Sequence, residues 1–294
     1  MRAVALSVIL LSVAARAEGK PEGLLLGLRD KQGRLSTWFV DGKKAERLGD
    51  GLALPAKRGW LKLLIVGDAA DFWVGKPREK PPPPKAADVG CEAKSSATVL
   101  FASGDFIGIG QTMALSCEGA AHPTAEESLA MQATPGDAKS AAAIAAVLGD
   151  GASTAFAAAW RKARAASDQP DCLAEDPEPT AWSLAHKSGR WIVRGLIGRT
   201  SEACRGQELR FEVQDAPALA RVSGSAPVDV ESGDAVPSPS GAFVVTVGSG
   251  AVRVLAGKTD SARAAAEGEI VLTQWALGKS VERWRREARA TLAK

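Results

Sequence analysis

The chain has no tyrosine and no asparagine, only two histidines among 294 residues, and four cysteines. Each shortage excludes chemistry. Without asparagine there is no Cys-His-Asn arrangement. Two histidines, His122 and His186, with no His-Glu-x-x-His spacing, leave little for a catalytic zinc. No Gly-x-Ser-x-Gly elbow and no Ser-x-x-Lys is present, so the common settings of an activated serine are missing. No two cysteines form a Cys-x-x-Cys pair, the usual half of a structural zinc site. The glycines of Gly104-Asp105-Phe106-Ile107-Gly108-Ile109-Gly110 lack the spacing of a phosphate-binding loop and suit a strand. No metal or cofactor is implied.

What is present begins with an export signal. Arg2 precedes an apolar run from Ala3 to Val13, and small residues end in Ala15-Arg16-Ala17 before Glu18. That order is a signal peptide with an A-x-A cleavage site. The run is about 11 residues, short of the roughly 20 that cross a bilayer. Cleavage after Ala17 takes 17 of the 294 residues and leaves 277, with no later stretch apolar enough to span. The expected location is the periplasm or the medium. Removing Arg2 and Arg16 from the 37 basic residues leaves 35 against 34 acids, a balance that does not suit nucleic acid or an anionic membrane as partner.

In that compartment an even cysteine count predicts two disulfides. Pairing Cys91 with Cys117 and Cys172 with Cys204 closes the shortest loops, and each bond would stabilise by about 3 kcal/mol in the chain-entropy model.

The organisation is predominantly antiparallel β, of the α+β class, as a propeller-like set of meanders or a sandwich. Residues 18–75 form a small N-terminal β section, with runs at Gly23–Arg29 and Ser36–Val40 about an Asp30–Gly33 turn, then at Trp60–Val66 and Asp71–Val74. Residues 76–87, with Pro81 to Pro84, form an extended linker. Residues 88–294 make the main β-rich domain. Its strands are expected at Ala97–Ala102, Phe106–Ser116, Leu129–Ala133, Thr180–Leu184, Trp191–Leu196, Glu208–Val213, Ala242–Val247, Val252–Leu255 and Glu269–Gln274. Alanine, the best helix former, dominates residues 138–166 and predicts a two-helix insertion broken at Gly149-Asp150-Gly151. A closing amphipathic helix spans 280–292, with Val281, Trp284, Ala288 and Leu292 on one stripe and Arg283, Arg285, Arg286 and Arg289 pointing outward. His186 is expected at the surface beside a turn, and six tryptophans in β-rich runs are expected in the core.

One loop carries a resemblance. From Gly104 to Trp160, a strand, then Glu118-Gly119-Ala120-Ala121-His122-Pro123, then a second strand, a glycine turn and an alanine-rich helical pair resemble the extracellular domain of the RsiV anti-sigma factor family, a module also appended to the PdaC peptidoglycan deacetylase. The chain departs from it in having Ala120-Ala121 before His122, in its cysteines and in lacking the membrane span. The resemblance implies a cell-envelope binding or sensing module, not a catalyst, with His122, Glu118 and Glu126 around a binding or structural turn. The expected function is therefore a non-enzymatic envelope protein that binds a protein or a glycan; the alternative is a hydrolase of envelope polymers acting through paired carboxylates.

Overall fold

The computed structural model of the chain describes residues 20–56, 59–65, 72–74, 91–117, 124–133, 142–176, 181–187, 190–200, 204, 208–213, 234–248, 250–256 and 259–293. The signal segment 1–17, the linker 76–87, Glu118 and His122 lie outside them.

Among the described residues, five antiparallel meanders follow one another along the chain. The first holds β1 (Glu22–Arg29), β2 (Leu35–Asp41) and β3 (Ala45–Asp50), and the last strand, β17 (Glu269–Leu277), returns to pair with β1, giving the order β17-β1-β2-β3. The second holds β4 (Leu52–Ala56), β5 (Gly59–Ile65) and β6 (Phe72–Val74), and the third β7 (Cys91–Ala102), β8 (Phe106–Cys117) and β9 (Thr124–Ala133). The fourth holds β10 (Trp182–Lys187), β11 (Arg190–Ile197) and β12 (Leu209–Val213). The fifth holds β13 (Asp234–Pro237), β14 (Val244–Gly248), β15 (Ala251–Ala256) and β16 (Thr259–Ala265). Among the described residues no helix is long and apolar enough to cross a membrane.

Each meander touches the next, and the fifth returns to the first. Thr37 of β2 donates its hydroxyl to the Gly51 carbonyl at 2.7 Å and accepts from the Ala53 amide, which joins the first sheet to the second. A Cβ on Gly104, in the β7–β8 turn, would lie 2.0 Å from the Pro55 carbonyl oxygen, so only glycine lets the third sheet come that close to the second. Phe101 meets Trp191 edge to face at 4.9 Å between the third and fourth sheets. His186 Nδ1 stands 3.5 Å from Asp234 Oδ2 between the fourth and fifth. Phe243 packs on Trp275 at 5.7 Å and returns the fifth to the first.

Strand β1 is buried on both faces, which explains its unbroken leucines. Leu24, Leu26 and Leu28 enter the larger core with the fourth and fifth sheets, while Leu25 enters a second core with the second sheet. Helices α1 (Ile144–Leu148) and α2 (Asp150–Ala165) stand between the third and fourth sheets in sequence, and α2 places Phe156 and Trp160 on Phe211 of β12 at 5.1 and 5.9 Å. Helix α3 (Ser280–Leu292) covers β3, β4 and β5, burying Val281, Ala288 and Leu292.

Three details differ from the sequence reading. Trp284 is half-buried against Trp60, edge to face at 5.7 Å, so the deeper anchors of α3 are its small and aliphatic residues. Arg285 does not point out with its neighbours. Its side chain is 19% exposed, and the guanidinium pairs with Asp41 and lies over the Phe39 ring at 4.9 Å, where a long aliphatic stem can cross the edge of the apolar stripe. His186 is not at the surface either: β10 runs on through Lys187, and the imidazole is 3% exposed with its edge on Trp191 at 5.2 Å.

Candidate ligand-binding cleft

The residues singled out from the sequence do not converge on one site. Cys172 and Cys204 are bonded, with Cα atoms 5.3 Å apart. Cys91 stands directly across from Cys117 in the β7–β8 register, though their side chains are outside the described set. Glu126 sits on β9 opposite Met113, again without a described side chain. Among the described residues, no three histidine, cysteine or acidic side chains are grouped to hold a metal.

What the fold does assemble lies between the third and fourth sheets. They are closed together where Gly108 approaches Ser183, whose hydroxyl would stand 2.2 Å from a Cβ there. Beyond that contact the facing rows mix polar and aliphatic residues. Period-two alternation places Thr98, Gly110 and Leu129 in one cross-strand row and Thr112 and Glu127 in the next. The facing sheet presents Arg194 across from Glu212 and Leu196 across from Arg210. Between them is a cavity of about 570 Å³, within the size range of small-ligand sites.

Its floor is made by the first sheet. Arg29 and Glu269, the paired ends of β1 and β17, form an ion pair there, and Arg29 also donates Nη1 to the Val99 carbonyl at 2.6 Å. The Arg29 side chain is 10% exposed, its glutamate 67%. Burial pushes the guanidinium below its ordinary pKa; Glu269 pulls it back up, and the like charge of Arg194 lowers it further. Higher up, Glu212 takes Lys187 Nζ at 2.6 Å and stands 3.4 Å from Arg194 Nε, while Arg210 pairs with Glu127 across the cleft. A second hollow of about 620 Å³, bounded by turns of the first and fifth sheets, shares Arg29, Thr98 and Glu269 with the first.

No tryptophan lines either hollow. Among the described side chains, Trp38, Trp160, Trp182 and Trp191 are buried in the core, and Trp60, Trp275 and Trp284 are half-buried elsewhere. The arrangement can fix a polar ligand with charged hydrogen bonds at the floor and aliphatic contact on the walls. Sequence reasoning missed it because Arg29, Arg194, Arg210 and Glu269 come from four strands in two sheets and make no motif. The one local signal is the run of polar residues along β7–β9, Thr98, Thr112 and Glu127 among them.

Comparison with protein-family models, curated proteins and solved structures finds no match to this chain.

Proposed function

We propose that this chain is an exported, non-enzymatic binding protein of the cell envelope that holds its ligand in the cleft between the third and fourth sheets. The observation that carries the reading is the floor of the cleft: a desolvated arginine, fixed by a backbone carbonyl, under a cavity of ligand size. Export is supported by the order of residues 1–17, and a Cys172–Cys204 bond suits an oxidising compartment. The likeness of residues 104–160 to an envelope sensing module points the same way. A carboxylate mechanism finds less support. Glu127, Glu212 and Glu269 are each held against a basic side chain, and none sits alone in the apolar pocket that keeps a general acid's proton.

The test is incubation of the processed protein, residues 18–294, with purified cell-wall fragments and with envelope protein extract. Saturable binding without turnover, weakened at least tenfold by Arg210→Glu, is expected. Continuous release of soluble products would overturn the non-enzymatic reading.

A further inference from the structure

We propose that the floor of the cleft is a carboxylate subsite and that its ligand is the C-terminal end of a peptide with an apolar last residue. The inference rests on the binding reading above and names the ligand class.

The first observation is an arginine with capacity to spare. A guanidinium has five N–H donors. Among the described residues Arg29 uses them on two partners, the Val99 carbonyl and Glu269. A desolvated cation close to a second arginine is under-compensated by one carboxylate that is itself two-thirds exposed. A ligand carboxylate would meet the fork of Arg29 bidentately, with Arg194 adding positive potential, while Glu269 swings into solvent. Glu269 is then a resident competitor that satisfies Arg29 when the cleft is empty.

The second observation concerns what lies beside that charge. Leu100, Leu129 and Leu196 line the same cavity. Aliphatic walls beside a carboxylate clamp match a peptide's last residue, whose side chain and free carboxylate leave the same carbon. An acidic sugar brings the charge but no aliphatic side chain, and the cavity has no tryptophan platform for its ring. The outer charges, Arg210 and Glu127, stand where preceding peptide groups would leave the cleft.

The experiment uses the processed protein with three probes: acetyl-Ala-Ala-Leu with a free carboxylate, the same peptide as its amide, and trigalacturonate. Calorimetric titration should show the free acid binding at least tenfold more tightly than the amide, with trigalacturonate weaker than the acid. Arg29→Gln should reduce binding of the acid at least tenfold. Because Arg29 is buried and its replacement can disturb folding, Glu269→Gln provides the second arm: removing the competitor should tighten the acid about three- to tenfold. Equal binding of acid and amide, tighter binding of trigalacturonate, no binding of any probe, or weaker binding by Glu269→Gln would each overturn the proposal. If cell-wall fragments or envelope proteins still bind saturably in those cases, the binding function stands and only its ligand class falls. Mass spectrometry of the recovered peptide separates the other failure, since a cleaved peptide would overturn the non-enzymatic reading itself.

Discussion

The two faces of the β10–β12 sheet are built by alternate residues of the same strands and have opposite characters. Toward α2, Val193 and Phe211 meet Phe156 and Trp160, and Gly195 leaves room where a Cβ would come within 2.3 Å of the Phe211 ring. Toward the third sheet, Arg194, Arg210 and Glu212 border a cavity. The first face is complete without a ligand: its aromatics pack edge-on and tilted, and the helix covers them. The second keeps its charges although a buried face of leucines would hold the sheets together more strongly. Two surfaces with the same backbone and opposite content separate what the sheet needs to fold from what it presents for use.

Breaking the apolar face should therefore cost far more than breaking the charged one. The largest effect is expected from Trp160→Ala. Its indole is fully buried, packs against both Phe156 and Phe211, and donates Nε1 to the Ala174 carbonyl at 3.1 Å. Truncation leaves a cavity and an unsatisfied acceptor, a loss of about 4 kcal/mol by denaturant titration. The Cys172–Cys204 bond comes next. It pins the loop after α2, where Thr200 donates its amide to the Cys172 carbonyl and Arg164 reaches the Leu173 carbonyl. With its ends 32 positions apart in sequence, serine at both positions should cost about 3.5 kcal/mol in the chain-entropy model. A loss below about 1 kcal/mol in either variant would mean that the helical side is not the structural half.

The same contrast explains what was legible in the sequence. Apolar alternation at Trp182–Leu184 and Trp191–Val193 locates the fourth sheet's hairpin, and the stripe of Val281, Ala288 and Leu292 locates α3 with its observed limits. Strands carried by weak patterns were not legible. The Ala45–Asp50 strand is half-buried and reads AERLGD, the 259–265 strand reads TDSARAA, and the 52–56 strand contains a proline and lies one residue after another strand, so none offers a clear apolar period. The pairing of β1 with β17 joins residues about 250 positions apart, and nothing local encodes it. The cleft fails for the same reason: Arg29 gains its meaning only when β17 brings Glu269 and the fourth sheet brings Arg194.

On the charged face the expected losses are small. Arg210→Ala removes an ion pair with Glu127 in which the arginine side chain is 68% exposed, and should change stability by less than about 1 kcal/mol in denaturant titration. A larger loss would show that this pair holds the third and fourth sheets together, which would blur the distinction between the two faces.

The smallest effect, and the most informative about pH, belongs to Asp30, in the turn that follows Arg29. Burial alone would raise its pKa. The Arg34 side chain at 2.6 Å, with amide hydrogen bonds from Arg34 and Gln32, outweighs that and holds the carboxyl below its ordinary range. The folded value is depressed, so the stabilisation is present above the unfolded carboxylate's pKa and disappears as pH falls through the folded one. Asp30→Ala should therefore lower stability at pH 7 by less than about 1 kcal/mol, since the Arg34 partner is largely exposed. The gap between variant and parent should close as the medium is made more acidic than the ordinary carboxylate range. A gap that stayed constant with pH would place the aspartate's contribution in the shape of the turn and not in its charge. Arg29 would then hold its place at the cleft floor through strand pairing with β17 and its bond to the Val99 carbonyl, whatever the charge on Asp30.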